Sequence, residues 1–325
     1  MIAAGALAEV FAALPLVVEE VRFLVRGVSV PSYPGGVRPS GILELLGEGE
    51  RGSGECVAWS LDAQASYGAA LSASLSPGRW LVADIARAVA AADPYARAAA
   101  EAAAIDLALR QAQRSIASLT EVDGLHAVDI ACAISFDACP DPALRIAALL
   151  SLHPAARFKI DVDPTWSALT IESLRSQNRI AVVDFKDRGD PDLVERIAAH
   201  LPHALLEDPP STAGIPPARI ARDASIRSAK DVHRIAAASA INIKAPRMGG
   251  FLEALRGIEA AREAGARVYL GGMFEVGVGR RQARVLAALF SARAQNDLAP
   301  LFDDERRDWP GGTVRVDLRA PGFGA

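Results

Sequence analysis

The sequence predicts an α/β fold in which a parallel sheet of βα units follows a smaller α+β section. Two patterns lead to this prediction: β-like and amphipathic helical runs alternate through the middle of the chain, and the first third has its own hairpin and helix signals. Hydrophobic residues make up 51% and charged residues 23%, which supports a sizeable core and excludes disorder by composition. The length of 325 residues fits one large domain with a smaller one.

The N-terminal section begins with strand signals. The run LVVEEVRFLVR reads as β-structure, VPSYPGGVRPSG as a loop rich in proline and glycine, and GILELLGEGERGSGECVAW as a hairpin that turns in its Gly/Glu cluster. From about Leu81 to Ile116 the pattern becomes helical and rich in alanine, with Asp93 as an N-cap and Pro94 in the first turn. These signals predict an α+β module of about 120 residues.

The middle section alternates strand and helix signals at the spacing of parallel βαβ units. The β-like runs are AVDIACAISF, ARFKIDVD, IAVVDFK, ALLED, AINIKA and ARVYLGG, and the helical runs are ALRIAALLSL, DPDLVERIAAHL, SAKDVHRIAAAS and GFLEALRGIEAAREAG. Either a closed barrel or an open doubly wound sheet has this alternation, and periodicity does not separate them. The short tail GTVRVDLRAPGFGA is β-like, and we expect it to fold back onto another module.

Composition also excludes several classes of function. The net charge is −4 and basic residues form no stripe, so nucleic acid is not an expected partner. No uncharged run reaches the roughly 18 residues of a membrane helix, and acidic residues interrupt an N-terminus that lacks the basic start of a signal peptide. Cys56, Cys132 and Cys139 lack zinc-site spacing, which favours apolar packing in a reducing compartment. We therefore expect a cytoplasmic protein that does not bind membranes.

Three carboxylates stand where β-like runs end. Asp184 ends IAVVD, Glu207 ends HALLE, and Asp223 ends ARIARD. Because functional groups gather at the carboxyl ends of parallel strands, successive strands bring these three side chains to one rim. Crowded carboxylates repel one another unless a cation joins them, and Asp and Glu oxygens suit Mg²⁺. The alternative is that each carboxylate caps the helix that follows it.

Two lysines lie inside apolar, strand-like runs. Lys159 is in RFKIDVD and Lys244 in INIKAP. Lysine is rarely buried without a partner, and a lysine beside a carboxylate-bound cation can have a lowered pKa and serve as a base. The alternative is an ion pair with a carboxylate or a side chain that extends to the surface. For Lys159 both interpretations hold, whereas the apolar flanks of Lys244 favour the base.

The run INIKAPRMGGFLEALRGIEAAREAGARVYLGGMFEVGVGR resembles the sixth-to-eighth-strand region of the muconate-lactonizing subgroup of the enolase superfamily. The similarity extends over nearly the whole chain. SGILELLGEGERGSGECV resembles the capping-domain hairpin, AAEAAAIDLAL the helix that leads into the barrel, and LEDPP a metal-ligand glutamate motif. DASIRSAKDV resembles the Asp-Glu-Ser motif, and NDLAPLF with GTVRVDLRAPGFGA resembles the closing tail.

The resemblance implies a (β/α)₇β TIM-like barrel with a capping domain from both ends of the chain. In this sequence the α+β capping domain would comprise residues 1–122, the barrel 123–298, and the returning tail 299–325. The resemblance also implies that Mg²⁺ binds Asp184, Glu207 and Asp223. It further implies that a base removes a proton beside a substrate carboxylate. In enzymes of this superfamily the base is a lysine or histidine, and Mg²⁺ stabilises the resulting anion.

Two further residues are candidate substrate contacts. Glu275 follows the last strand-like run and could hydrogen-bond near the substrate, although a structural pair with Arg280 is an equal alternative. Tyr33 lies in a capping-domain loop that, by the resemblance, closes over the substrate; simple loop packing is the alternative.

The sequence departs from the subgroup at the second and third strands. The subgroup has Lys-x-Lys on the second strand, but Asp161 stands in the place of the second lysine. On the third strand Lys186 stands where an asparagine is usual, and Ala224 replaces the glutamate after Asp223. We expect Asp161 and Lys186 at the ends of neighbouring strands. They are either a relocated catalytic ammonium with its partner or signs of lost ancestral chemistry.

The resemblance favours a Mg²⁺-dependent isomerase or lyase that acts on a small carboxylate, similar to o-succinylbenzoate synthases and N-acylamino acid racemases. Lys244 would act on one face of the substrate, and Lys186 or Asp161 on the other. The alternative is a barrel with altered or lost catalysis and a binding or structural role. Self-association into a homo-oligomer is allowed by either hypothesis.

Overall fold

The protein is described by a computed structural model, whose described residues are 2–29, 36–134, 136, 141–175, 178–235, 239–299 and 311–323. The elements of the first third are α1 Ala4–Ala12, β1 Pro15–Val18, β2 Glu20–Ser29, β3 Val37–Gly47, β4 Glu50–Cys56, α2 Leu61–Ser74, β5 Gly78–Leu81, α3 Val82–Ala88, α4 Pro94–Gln111 and α5 Ile116–Thr120. Strands β2, β3 and β4 form an antiparallel sheet, and β1 pairs with β5. The predicted hairpin and the predicted long helix are both confirmed, and the Asp93 side chain caps α4 by accepting from Tyr95 N at 2.9 Å.

The alanine-rich sequence of α4 has a packing reason. Glycines of β4 lie directly on this helix: a Cβ added at Gly54 would lie 2.0 Å from Ala99 O, and one at Gly52 would lie 2.2 Å from Ala103 O. Small residues on both elements therefore let the hairpin approach the helix backbone, and any larger side chain would force them apart.

The rest of the chain forms a parallel sheet with intervening helices. Its elements are β6 Leu125–Asp129, β7 Cys132–Ile134, α6 Pro142–Leu152, β8 Phe158–Asp161, α7 Ala168–Arg175, β9 Ile180–Asp184, α8 Pro191–His200, β10 Leu205–Glu207, a 3₁₀ turn Pro217–Arg219, β11 Ile220–Arg222, α9 Ala229–Val232, β12 Ala240–Ile243, α10 Ala245–Met248, α11 Phe251–Glu263, β13 Arg267–Leu270, α12 Val278–Phe290 and β14 Thr313–Asp317.

Strands β7 to β13 form one curled parallel sheet in which neighbours in sequence are neighbours in space throughout. A doubly wound sheet needs a point where the strand order reverses, and these seven strands have none. The open doubly wound alternative is therefore wrong, and the sheet is a half-barrel. Isolated bridges connect Ile130 with Asn296 and Gly271 with Asp297, near the two edges of the sheet.

Three details differ from the sequence patterns. The run expected to be one strand at residues 127–136 is divided, and β6 leaves the main sheet to pair with β14. The helix expected over residues 228–239 is a single described turn, α9, while residues 236–238 lie outside the described part. No α-helix connects β10 with β11, because the prolines of DPPSTAGIPP remove backbone donors and restrict φ.

Helices α1, α2, α7 and α12, and the short helices α5 and α10, were not anticipated from periodicity. Within the described residues, no helix is both long and apolar enough to cross a membrane. Cys56 and Cys132 are buried, consistent with apolar packing, and Cys139 lies outside the described residues.

Candidate functional site

The three predicted carboxylates converge. Asp184 is the last residue of β9, Glu207 is the last of β10 and its register partner, and Asp223 directly follows β11. Each residue offers one oxygen, and these oxygens all lie within 4.8 Å of one another. The residues are 4%, 0% and 7% exposed, so the cluster is buried at the carboxyl rim of the sheet.

These carboxylates do not cap the helices that follow them. Helix α8 is capped by Asp190, whose side chain accepts from Leu193 N at 2.7 Å. Asp184 instead accepts from Lys186 N at 3.0 Å, in the turn directly after its strand. No α-helix begins directly after Glu207, and the N-cap position of α9 belongs to Ser228.

Lys159 lies in the middle of this cluster. Its Nζ donates to Glu207 Oε1 and lies 3.2 Å from Asp184 Oδ2 and 3.9 Å from Asp297 Oδ2. Burial alone would lower the pKa of Lys159, but the charges of Glu207 and Asp184 outweigh burial and hold that pKa well above its ordinary value. Lys159 is therefore a buried ammonium that links two carboxylates.

Lys244 follows β12 and contacts the third carboxylate. Its Nζ lies 2.8 Å from Asp223 Oδ2, and its side chain is only 8% exposed. Arg247, which sequence reasoning did not single out, donates through Nη1 to Asp223 Oδ1 at 2.6 Å and to Asp223 O at 2.8 Å. A basic pair therefore flanks Asp223 on the side of β12.

The charges shift the pKa values of the acidic residues in opposite directions. Burial raises the pKa of Glu207 to about 8, although Lys159 opposes that change. Burial also acts to raise the pKa of Asp223, but Lys244, Lys159 and Arg247 outweigh it and hold that pKa below its ordinary value. The difference follows from the cations near each group, since both carboxylates are buried.

Tyr269 is a second residue that sequence reasoning missed. It lies on β13, is 1% exposed, and donates its hydroxyl to Glu207 Oε2. Tyr269 is two residues before Gly271, and alternate residues of a strand share a face. A Cβ at Gly271 would lie 2.6 Å from Lys244 Cε, so this face of β13 points toward the lysine.

Asp161 and Lys186 meet, as expected from their places on neighbouring strands. Asp161 is the register partner of Asp184, and the Lys186 ammonium donates to Asp161 Oδ2. The side chains are 32% and 47% exposed, so this pair lies at the open rim rather than in the buried cluster. Lys186 has a φ of 51°, a left-handed conformation in the tight turn after β9.

Glu275 lies in the loop between β13 and α12. It is 1% exposed, and its Oε2 accepts from Met273 N at 2.8 Å. Arg280 donates through Nε to the main-chain oxygen of Glu275 at 2.8 Å, so the structural pair exists through the backbone. The position of Tyr33 falls outside the described residues.

A carboxylate from the N-terminal section holds this same loop. Glu55 accepts from Val276 N at 2.7 Å through one oxygen, and from Gly277 N at 2.9 Å and Gly279 N at 3.1 Å through the other. These donors are at the start of α12, where orphan N–H groups favour an anion. The contact fastens the β3–β4 hairpin to the loop that carries Glu275.

Lysine usage is a signal that could have located the site. The chain has 35 lysine and arginine residues, of which only four are lysines. Three of them, Lys159, Lys186 and Lys244, lie at this rim, and the fourth, Lys230, is exposed on α9. A chain that otherwise uses arginine keeps lysine where a compact ammonium and an adjustable pKa are useful.

Comparison with protein families gives two matches along the chain. Residues 125–304 match the C-terminal domain, and residues 9–119 the N-terminal domain, of the family described as domain of unknown function DUF8230. The chain belongs to the DUF8230 family. Residues 125–304 of this DUF8230 protein include the three carboxylates and all three rim lysines.

Curated relatives of the DUF8230 protein have two kinds of name. An o-succinylbenzoate synthase from Geobacillus stearothermophilus is 29% identical over 260 residues, which cover 70% of this chain and 67% of that protein. An N-succinylamino acid racemase from an Amycolatopsis species is 27% identical over 226 residues, 60% of this chain and 57% of that protein. An Enterococcus faecalis o-succinylbenzoate synthase is 46% identical over 65 residues, which span only 18% of its length.

Solved structures show the same fold. A mandelate racemase/muconate lactonizing protein from Herpetosiphon aurantiacus superposes with a TM-score of 0.75 at 22% identity and covers 96% of this chain and 98% of its own. A dipeptide epimerase from Methylococcus capsulatus, described as complexed with a Mg ion, has a TM-score of 0.70 at 20% identity and covers 95% and 99%. With the curated relatives, these matches confirm the resemblance to the muconate-lactonizing subgroup of the enolase superfamily.

Proposed function

We propose that this DUF8230 protein is a Mg²⁺-dependent isomerase or lyase that removes a proton beside the carboxylate of a small substrate. The observation that carries the proposal is the convergence of Asp184, Glu207 and Asp223 in one buried cluster beside Lys244. The names of the sequence relatives, a synthase and a racemase, support the same class of reaction.

The donor set fits a hard divalent cation. Three carboxylates offer oxygen ligands within 4.8 Å of one another, and Mg²⁺ binds through a few carboxylates and keeps positions for substrate oxygens. Lys159 contacts Glu207, and Lys244 and Arg247 contact Asp223, so basic side chains already lie against the carboxylates. A bound divalent ion would add two positive charges, which stabilise the negative charge that develops on a substrate carboxylate as its neighbouring carbon loses a proton.

The other side chains at the rim have separate proposed roles. Lys244, held beside Asp223, is the proposed base on one face of the substrate. Lys159 links two carboxylates and is proposed to keep them in position. Asp161 and Lys186 are proposed to act on the opposite face, where their partial exposure leaves them accessible.

Two groups are proposed to contact the substrate. The Glu275 loop reaches the basic side of the site, because Arg247 Nη2 lies 3.5 Å from Met273 Sδ in the same loop. Glu275 itself is proposed to orient substrate through this loop. Tyr33 is proposed to close over the site from the N-terminal section.

The fold is proposed to be the complete (β/α)₇β barrel with its cap. The segment at Asn296 and Asp297 would close the sheet, since Asn296 O accepts from Ala131 N and Asp297 N donates to Leu270 O, both at 2.8 Å. The tail would complete the cap with the first section: the Phe323 ring lies 6.0 Å from that of Phe11, between centroids.

A truncation tests this arrangement. Phe323 is fully buried, and its N donates to Asp106 Oδ1 at 3.0 Å. Deletion of the residues after Pro310 should therefore lower the melting temperature of the whole protein, and Phe323→Ala alone should cost about 3–5 kcal/mol. A truncated protein that melts at the wild-type temperature would contradict a shared cap.

A second candidate is a barrel whose ancestral catalysis is altered or lost and that serves in binding. Two observations favour it. Asp161 stands where the subgroup has its second-strand lysine, and the ammonium of Lys186 is paired with that carboxylate. The replacement of the second-strand lysine by Asp161 would most affect an o-succinylbenzoate synthase or N-acylamino acid racemase reaction that uses one lysine on each face of the substrate.

Deuterium wash-in tests the proposed function. The protein is incubated in D₂O with Mg²⁺ and a panel of N-succinylamino acids, and o-succinylbenzoate formation is followed separately. We expect α-carbon exchange or product formation that depends on Mg²⁺. Wild-type protein that binds Mg²⁺ yet exchanges no substrate would favour the binding candidate over the enzyme.

A further inference from the structure

Glu207 is the most enclosed of the three carboxylates. It is 0% exposed, and each of its oxygens has its own donor. Lys159 Nζ donates to Oε1 and also lies 3.2 Å from Asp184 Oδ2, so Lys159 links Oε1 to Asp184. Tyr269 holds the other oxygen, Oε2, from β13.

The position of Tyr269 follows from strand register. Tyr269 is the Cα partner of Asn242 on β12, two residues before Lys244. It therefore lies one layer below the rim, on the face of β13 that points toward Lys244. From there the hydroxyl reaches Glu207 across the interior, 62 residues away in sequence.

The hydroxyl is a donor and not an anionic ligand. The Tyr269 side chain is buried, and its hydroxyl points at Glu207 Oε2, to which it donates. A neutral phenol beside a carboxylate can only donate its single hydrogen, which occupies one lone pair of Oε2.

The contact between Tyr269 and Glu207 matters because Mg²⁺ and Ca²⁺ differ in the coordination geometry that they accept. Mg²⁺ demands near-octahedral geometry at about 2.0–2.1 Å, whereas Ca²⁺ takes 6–8 ligands and accepts bidentate carboxylates. A carboxylate that is free to turn can offer both oxygens to the larger ion. A carboxylate whose second oxygen is held elsewhere offers one.

We propose that Tyr269 is a positioning residue that makes Glu207 a one-oxygen ligand and so favours Mg²⁺ over Ca²⁺. The inference rests on the proposed metal site and goes beyond it, because it assigns the choice of cation to a residue outside the three carboxylates. Groups that orient metal ligands in this way typically change metal affinity by about 10–100-fold when they are removed.

The test compares Tyr269→Phe with wild type by calorimetric titration of MgCl₂ and, separately, CaCl₂. Phenylalanine keeps the ring and removes only the donor. The expected result is a Mg²⁺ Kd at least about tenfold weaker with a smaller change for Ca²⁺, so that the preference for Mg²⁺ falls. Melting temperature in EDTA verifies that the variant is folded.

Tyr67→Phe is the matched control. The Tyr67 hydroxyl also bonds a carboxylate, that of Asp93, but in the N-terminal section. This control should keep both wild-type affinities. Near-ultraviolet absorbance gives a second readout: Mg²⁺ should produce a tyrosine difference spectrum that persists in Tyr67→Phe and disappears in Tyr269→Phe.

The outcomes separate the two proposals. If wild type binds Mg²⁺ and Tyr269→Phe keeps the same ratio of Mg²⁺ to Ca²⁺ affinity, whether both are unchanged or equally weakened, the inference about Tyr269 is wrong and the metal site stands. If wild type binds neither ion, the metal site itself is wrong, and the role of Tyr269 falls with it.

Discussion

Two groups of charged side chains lie at the same rim but in different surroundings. The buried cluster contains Lys159 and Lys244 among three carboxylates, with the two lysine side chains 4% and 8% exposed. The rim pair, Asp161 and Lys186, is 32% and 47% exposed. Both contain lysine–carboxylate contacts, so the difference between them is mainly one of burial.

Burial decides what each contact contributes to folding. Removal of one partner from a buried ion pair typically costs about 3–5 kcal/mol, because an uncompensated charge remains. An exposed pair contributes about 0–1 kcal/mol. Folding therefore constrains the cluster strongly and the rim pair weakly, so a loss of activity at the rim would report chemistry without a large stability effect.

The largest expected effect is that of Lys244→Ala. Abstraction by a positioned base typically contributes about 10²–10⁴-fold, so the variant should lose at least that much of the wash-in rate. Lys230→Ala, which removes the exposed lysine on α9, is the control and should retain wild-type exchange. Exchange that survives in Lys244→Ala would show that the base lies elsewhere.

The next effect is that of Lys186→Asn. If the second-strand ammonium has moved to the third strand, this change should reduce exchange by about 10²-fold. The double variant Asp161→Lys with Lys186→Asn restores the arrangement usual in the subgroup and should retain or shift activity. Equal activity in wild type and Lys186→Asn would place the pair outside the chemistry.

A buried carboxylate without a lysine sharpens the comparison. Glu101 on α4 accepts from Leu252 N at 2.7 Å at the start of α11. Burial raises the pKa of Glu101 to about 7, because the backbone donors of Leu252 and Phe251 and the charges of nearby arginines offset burial only in part. The pKa of Glu101 is higher in the folded state than in the unfolded state, so the folded state binds its proton more tightly. The free energy of unfolding should therefore fall as pH rises from about 4.5 through 7, by roughly 3 kcal/mol.

Glu101→Gln is expected to remove that pH dependence. The amide oxygen can still accept from Leu252 N, and it does not ionise. Chemical denaturation at pH 5 and pH 8 should show a smaller loss of stability in the variant than in wild type. Identical pH profiles would mean that Glu101 does not titrate in this range.

The smallest effect should be on the stability of the rim variants. Asp161→Asn removes one charge of a half-exposed pair, so the free energy of unfolding should fall by at most about 1 kcal/mol. A loss of several kcal/mol would mean that the rim pair is as constrained as the buried cluster, and the contrast between the two groups would disappear.

Much of the site could be predicted because parallel βα units convert strand ends into neighbours. Asp184, Glu207 and Asp223 each end a recognisable apolar run, so their convergence followed from the pattern. The contact between Asp161 and Lys186 followed in the same way, since both stand near the ends of adjacent strands.

The contacts that could not be predicted depend on residues far apart in sequence. Tyr269 and Glu207 meet across the interior, and the capping of α12 by Glu55 links the first section with a loop more than 200 residues later. Periodicity carries no information on such pairs. The divided strand at residues 127–136 was missed for a related reason, because β6 pairs with the distant β14.

The most direct test of the account is calorimetric titration of wild-type protein with Mg²⁺, with Asp184→Asn as the comparison. The account predicts one site with a Kd below about 1 mM, a melting temperature that rises with Mg²⁺ concentration, and loss of both effects in the variant. No heat and no thermal shift at millimolar Mg²⁺ in the wild type would contradict the claim that Asp184, Glu207 and Asp223 form a metal centre.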